Sequence, residues 1–290
     1  MLVYLDGRFV AREKALVSVF DHGFLYGDGI YETMRAYGGR LFLLKKHLAR
    51  LKHSANAISL RLPLSLEKIG EALNESLIVN KLQDAYVRLH ISRGPGDIGL
   101  DPVLCAAPTI VIVAKPFHDY PAAYYEQGIK VAIVKTRRNH PLALDPSIKG
   151  TNFLNNILAK IESLKAGAYE GIMLNWRGHV AEGTISNIFM IKRGILYTPN
   201  IETGILEGVT RDFVLRLAKR KRIPVRETAI LPGSLFTADE CFITNTTMEI
   251  MPVTTIDRKR VGGGRPGPIT ALLHQTYRKG VHACSKMQAS

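Results

Sequence analysis

The stretch Ser147-Ile148-Lys149-Gly150-Thr151-Asn152-Phe153-Leu154-Asn155-Asn156 follows Pro146 and reads as a loop turning into a helix. Its lysine carries the argument. A lysine that closes a Schiff base must be held in place and partly desolvated, so that its amine is available near neutral pH. Further along comes Val180-Ala181-Glu182-Gly183-Thr184-Ile185-Ser186-Asn187-Ile188-Phe189. A pyridoxal cofactor needs an acid beside its ring nitrogen, because the protonated ring is the electron sink. Lys149 and Glu182 fit these two roles. The competing reading is a pair of solvated surface charges, which most lysines and glutamates are.

The 290 residues allow one large domain or two modest ones, and a hydrophobic content of 46% is ample for a core. No apolar run is long enough to span a bilayer, which argues against a membrane partner. Met1-Leu2-Val3-Tyr4-Leu5-Asp6-Gly7 enters a strand-and-turn pattern without the basic start and apolar stretch of a signal peptide. Cys105, Cys241 and Cys284 are far apart and odd in number. That spacing argues against a disulfide framework or a metal cluster, and for reduced thiols in a cytoplasmic protein. The net charge of +14 raises the question of nucleic acid. The basic residues are dispersed, however, and aromatic residues are not interleaved with them. Lys219-Arg220-Lys221-Arg222 closes a helix, where cations suit the macrodipole. A solvated basic surface, attractive to anionic substrates and phosphate, is the expectation.

Alternating apolar runs and turns open the chain. The strand Gly29–Tyr37 puts Tyr31, Thr33, Arg35 and Tyr37 on one face by its two-residue period. Gly38-Gly39 is a hairpin signal. Periodicity predicts helices over 43–58 and 66–79, then strands over 85–92 and 109–114. His118-Asp119-Tyr120-Pro121-Ala122-Ala123 reads as a linker. Beyond it the pattern predicts strands over 130–135, 171–175, 187–192 and 240–244, with helices over 152–166 and 210–222. The organisation expected is a small α/β domain over 1–117, a linker over 118–125, and a larger α+β domain over 126–290.

A phosphate needs donors. Gly204-Ile205-Leu206-Glu207-Gly208-Val209-Thr210-Arg211 leads into a helix, where backbone amides and the Thr210 hydroxyl make an anion site. Thr210 as a plain N-cap is the rival reading. Thr244-Asn245-Thr246-Thr247 offers a second donor set, and Arg50 a guanidinium, unless Arg50 is simply an exposed helix arginine.

The wording of these segments, in this order along nearly the whole chain, resembles the class IV pyridoxal-phosphate aminotransferases. The resemblance implies fold type IV, a two-domain α+β and α/β architecture like that of D-amino-acid aminotransferase. It implies pyridoxal 5'-phosphate as cofactor and a homodimer or higher homo-oligomer as assembly. Lys149 then forms the Schiff base and shuttles the substrate proton. Glu182 faces the ring nitrogen, Leu206 packs on the pyridine ring, and Arg50, Val209, Thr210 and Thr246 bind the phosphate. Tyr26, Tyr31, Tyr86, Arg88 and Thr247 match substrate-side positions. The family's tyrosine shortly after the lysine is absent, and Phe153 stands there.

The substrate signals diverge. Ala85-Tyr86-Val87-Arg88-Leu89-His90-Ile91-Ser92-Arg93-Gly94 and Gly96-Asp97-Ile98-Gly99-Leu100-Asp101-Pro102 resemble branched-chain amino-acid aminotransferases. Ala181–Phe189 and Thr244–Pro252 lean toward the lyase and D-amino-acid branches. Tyr31-Glu32-Thr33 departs from the phenylalanine-glutamate-glycine wording of branched-chain enzymes. The first-domain loop decides the expectation. It is amino transfer between a hydrophobic, branched-chain L-amino acid and a 2-oxo acid such as 2-oxoglutarate. The open alternatives are 4-amino-4-deoxychorismate lyase and D-amino-acid aminotransferase.

Overall fold

The computed structural model describes residues 1–287, with side chains described as far as Val281, so the Cys284 side chain lies outside the described residues. The chain divides into two compact units. The first holds Met1–His118, Ile148–Phe153 and the end of the last helix from Val281; the second holds Asp119–Ser147 and Leu154–Gly280.

The first unit is built on strands β1 (Leu2–Leu5), β2 (Arg8–Ala11), β3 (Gly29–Tyr37), β4 (Arg40–Leu41), β5 (Ala85–Ser92) and β6 (Thr109–Pro116). They form a six-stranded sheet in the order β2-β1-β6-β5-β3-β4, and every pairing is antiparallel. A short helix α1 (His22–Leu25) precedes β3, and α2 (Leu44–Ala57) and α3 (Leu66–Val79) follow β4. An all-antiparallel sheet with packed helices is an α+β arrangement rather than the α/β one expected. Helix α3 spans the predicted residues, with the Ser65 hydroxyl accepting from the Lys68 amide at 3.3 Å to start it. The core gathers Ile30, Met34 and Ala36 of β3 with Ala85, Val87, Leu89 and Ile91 of β5 and the apolar stripes of α2 and α3. Strand alternation then puts Tyr31, Thr33 and Arg35 on the face away from that core. Directly opposite them on β5 stand His90, Arg88 and Tyr86.

The second unit contains β7 (Ile129–Ile133), β8 (Glu170–Leu174), β9 (Val180–Gly183), β10 (Asn187–Lys192), β11 (Ile195–Thr198), β12 (Val225–Glu227), β13 (Glu240–Asn245), β14 (Glu249–Ile256) and β15 (Lys259–Arg260). They make a nine-stranded mixed sheet in the order β12-β11-β10-β13-β14-β7-β8-β9, with β15 on β14. Its helices are α4 (Ala122–Glu126), α5 (Leu154–Lys165), α6 (Val209–Arg220), α7 (Pro232–Phe236) and most of α8 (Pro268–Met287). Helix α4 occupies the expected linker, and its Tyr124 and Tyr125 pack on the apolar core of this unit. The buried Cys241 thiol is pushed up to about 12 by that burial, which makes it an inert core group.

Candidate active site

Lys149 sits in the expected loop, which turns into helix α5 at Leu154. The loop lies against β3 on the side away from β5. The Tyr31 amide donates to the Lys149 carbonyl at 3.0 Å, the Thr151 amide to the Gly29 carbonyl at 2.9 Å, and Ile30 and Gly150 form an antiparallel bridge. The Thr151 hydroxyl bonds the Gly27 carbonyl at 2.8 Å, and the Lys149 amide donates to Ser54 Oγ of α2 at 3.0 Å. These independent contacts fix the lysine's backbone. Its amine is placed as well: Nζ donates to Tyr31 Oη at 3.0 Å and lies 4.3 Å from the centre of that ring.

Around this amine the outer face of β3 and β5 builds a polar wall. The Arg88 guanidinium lies 4.2 Å from the centre of the Tyr31 ring and donates through Nε to His90 Nε2 at 2.5 Å. Burial, and next the Arg88 charge, push His90 down to about 4, so its ring is neutral at pH 7 and can accept. Tyr86 joins the same wall, with Arg88 Nη1 3.5 Å from its hydroxyl. Tyr26 stands apart from it at the end of α1, where its hydroxyl accepts from the Gly99 amide at 3.1 Å and so pins the 96–102 loop.

Beneath β3 lies a charged network that sequence reading misses. Glu32 is fully buried and accepts from Arg50 Nε and Nη2, both at 2.8 Å, and from His47 Nδ1 at 2.7 Å. Burial alone raises a carboxyl, but here the Arg50 and His47 partners outweigh it and hold Glu32 well below the usual carboxylate range. Arg50 is therefore no exposed helix arginine. It is a clamped guanidinium, and Glu32 takes two of the N–H bonds that the fork offers. The one sequence signal is Glu32's place on the core face of β3, where a carboxylate demands a cation.

In the second unit, Glu182 lies in β9 and is buried. Its Oε1 accepts from Arg138 Nε at 2.7 Å; its Oε2 accepts from Asn187 Nδ2 at 3.2 Å and the Leu206 amide at 3.1 Å. Sequence reading singles out neither Arg138 nor Asn187 for this role. Leu206 is brought to Glu182 by its backbone, and Asn187 Nδ2 bonds the Leu206 carbonyl at 3.0 Å. Two residues on, Gly208 caps α6 without any side-chain hydrogen bond at that end. Thr210 is thus inside the first turn and not the N-cap. A Cβ at Gly208 would fall 1.9 Å from Asn187 Oδ1, so only glycine lets the start of α6 lie against Asn187. The amides of Val209 and Thr210 open a 12-residue helix, the geometry that binds anions.

Thr246 and Thr247 lie in the turn between β13 and β14. Asn245 Oδ1 organises that turn by accepting from the Thr247 amide at 2.9 Å and the Met248 amide at 2.7 Å. Thr247 Oγ1 bonds Tyr120 Oη at 3.2 Å. On β13, Thr244 faces Asn187 in register, and its buried hydroxyl has no partner within the described residues. Each unit, taken by itself, offers groups that fit part of a phosphorylated pyridine. The first has a fixed primary amine and a clamped guanidinium. The second has a buried carboxylate, an uncapped helix start and an orphaned hydroxyl. An ionised carboxylate only accepts, which is what a ring N–H requires of Glu182.

Over residues 29–256 the chain matches the family described as amino-transferase class IV. The chain belongs to the class IV aminotransferases. It is 45% identical over 278 residues to a putative branched-chain-amino-acid aminotransferase of Methanocaldococcus jannaschii, covering 96% of each protein. It is also 36% identical over 280 residues to the aminodeoxychorismate lyase of Bacillus subtilis, covering 96% of this chain and 94% of that protein. Among solved structures, the branched-chain amino acid aminotransferase of Thermobaculum terrenum in its PLP form superposes with a TM-score of 0.87. That match has 28% identity and covers 97% of this chain and 94% of the other. The branched-chain and lyase branches seen in the sequence therefore both recur among its relatives. No described helix is long and apolar enough to cross a membrane. No group of three or more His, Cys, Asp or Glu stands ready to hold a metal among the described residues.

Proposed function

We propose that this chain is a pyridoxal-phosphate-dependent transaminase that moves an amino group between a hydrophobic, branched-chain L-amino acid and a 2-oxo acid such as 2-oxoglutarate. The observation that carries the reading is Lys149, a primary amine whose backbone is held against strand β3 and whose nitrogen is held by Tyr31. When bound, pyridoxal 5'-phosphate supplies a carbonyl for amines to condense with and a ring that accepts an electron pair. The chain supplies the rest. Lys149 attaches the cofactor and, once released by substrate, carries the proton taken from the substrate Cα. Glu182, paired with Arg138, holds a proton on the ring nitrogen. Arg50, the amides of Val209 and Thr210, and Thr246 bind phosphate, while Leu206 packs on the ring. Tyr26, Tyr31, Tyr86, Arg88 and Thr247 serve the substrate, with tyrosines favouring an apolar side chain and Arg88 pairing with a carboxylate.

The assembly we propose is a cytoplasmic homodimer. Helix α5 exposes Leu154, Ile157, Leu158, Ile161 and Leu164 along one stripe, the kind of surface that a second subunit covers. A fully active monomer in sedimentation would dismiss it. The test of function is a half-reaction panel on cofactor-loaded protein, with L-leucine, L-glutamate, D-alanine and aminodeoxychorismate added singly and the visible band followed. L-leucine and L-glutamate should bleach it. Pyruvate and 4-aminobenzoate from aminodeoxychorismate, with no transfer from either L-amino acid, would place the chain on the lyase branch.

A further inference from the structure

We propose that Glu249 is a positioning residue, which holds Thr246 and Thr247 in place by clamping the hairpin between β13 and β14 onto helix α8. The inference rests on the reading that Thr246 binds phosphate. Asn245 and Glu249 are paired across the hairpin, so the turn between them is short and carries both threonines. Glu249 sits at φ 58°, in the left-handed region that glycine or asparagine fills more readily. Its side chain is also buried, with the residue 2% exposed. A strained backbone and a buried charge at one residue persist only where the surroundings hold both.

Helix α8 supplies that hold. Glu249 Oε2 accepts from His274 Nε2 at 2.8 Å and from Arg278 Nε at 3.0 Å. The spacing of these two donors puts them on one face of the helix. Tyr125 of α4 closes the clamp. Its ring stacks on His274, with centroids 4.9 Å apart and planes inclined by 14°, and the Arg278 guanidinium lies 5.5 Å from its centre. The Tyr125 hydroxyl donates to the Met248 carbonyl, inside the turn, at 3.2 Å. The turn is thus organised from within by Asn245 and held from outside by α4 and α8. Glu249 ends the turn that Thr246 begins, so a shift of its carboxylate moves the threonines. Displacement by about 1 Å is enough to spoil a hydrogen bond from Thr246 to a phosphate oxygen.

The test compares full-length parent, Glu249→Asn and Arg278→Ala proteins, each freed of bound small molecules. Asparagine keeps the left-handed backbone but is one methylene shorter and uncharged, so it separates the clamp from the turn geometry. Arg278→Ala cuts the same clamp from α8 at a half-exposed side chain. Affinities for pyridoxal 5'-phosphate and for pyridoxal, which lacks the phosphate, are read from the visible band. In Glu249→Asn the affinity for pyridoxal 5'-phosphate should fall about tenfold or more, the worth of one hydrogen bond to a charged group, while that for pyridoxal holds. Arg278→Ala should show a smaller loss of the same kind. A general loss of stability lowers both affinities together, so their ratio decides. An unchanged ratio in either variant overturns the proposal, whatever happens to the melting midpoint. No visible band with the parent would sink the cofactor reading and the inference with it, whereas a band with an unchanged ratio sinks the inference alone.

Discussion

Replacing Glu32 by glutamine keeps the shape and removes the charge of a carboxylate buried beneath β3. Glutamine can still accept from Arg50 Nε, but its NH₂ then points at Arg50 Nη2 and at His47 Nδ1, which now bond the second oxygen at 2.8 and 2.7 Å. One partner of a buried ion pair is lost. Such losses cost roughly 3–5 kcal/mol, and the retained bond puts this one at the lower end, about 3 kcal/mol. At about 2–4 °C per kcal/mol for a chain of this size, calorimetry at pH 7 should show a melting midpoint lower by roughly 6–12 °C. The pH dependence gives a second reading. Glu32's folded pKa is depressed, so its contribution is complete above the unfolded value of about 4.3 and fades as pH falls toward the folded one. The gap between parent and variant should hold from about pH 8 to 5, then shrink by roughly 1.4 kcal/mol per unit below about 4.3. A midpoint within about 2 °C of the parent at pH 7, or a gap that stays constant down to about pH 3, would refute the network's role.

Glu182→Gln should retain most of the cofactor, because the phosphate donors are separate residues, yet turn over slower by orders of magnitude; parental turnover would move the electron-sink role elsewhere. Arg88→Ala should weaken the half-reaction with L-glutamate more than that with L-leucine, because glutamate brings a second carboxylate; equal losses would mean that Arg88 is structural. His90 is lowered from 6.5 to about 4, so the unfolded chain takes up the extra proton and stability drops as pH falls through that window. His90→Asn should flatten the dependence, and an unchanged stability profile between pH 7 and 4 would contradict it.

Local chemistry makes part of this molecule legible. Helix α3 has a serine cap and an apolar stripe, and the two-residue period of β3 sorts Tyr31 from Ile30. The roles proposed for Lys149 and Glu182 come from the wording around them. What sequence reading lacks is pairing at long range. Lys149 reads as a loop residue, which it is, but its ties to β3 escape notice because that strand lies more than a hundred residues earlier in the chain. Strand β9 is buried at every position, which leaves no alternation to detect. Arg138 reads as a charge near a strand end, and only the fold shows that Glu182 receives it. Glu32 is visible inside a motif, but the need for His47 and Arg50 below it follows from burial, which spacing does not report.

The segment Ile148–Phe153 belongs to the first unit, while the chain on either side of it belongs to the second. No single cut divides this protein into two self-sufficient halves. A fragment ending near His118 would inherit Tyr31, Arg50 and Arg88 but no reactive amine. The remainder would inherit the amine with no strand edge to hold it. Modular exchange at that boundary therefore separates Lys149 from the strand that holds it, and any recombined relative must carry both pieces from the same parent.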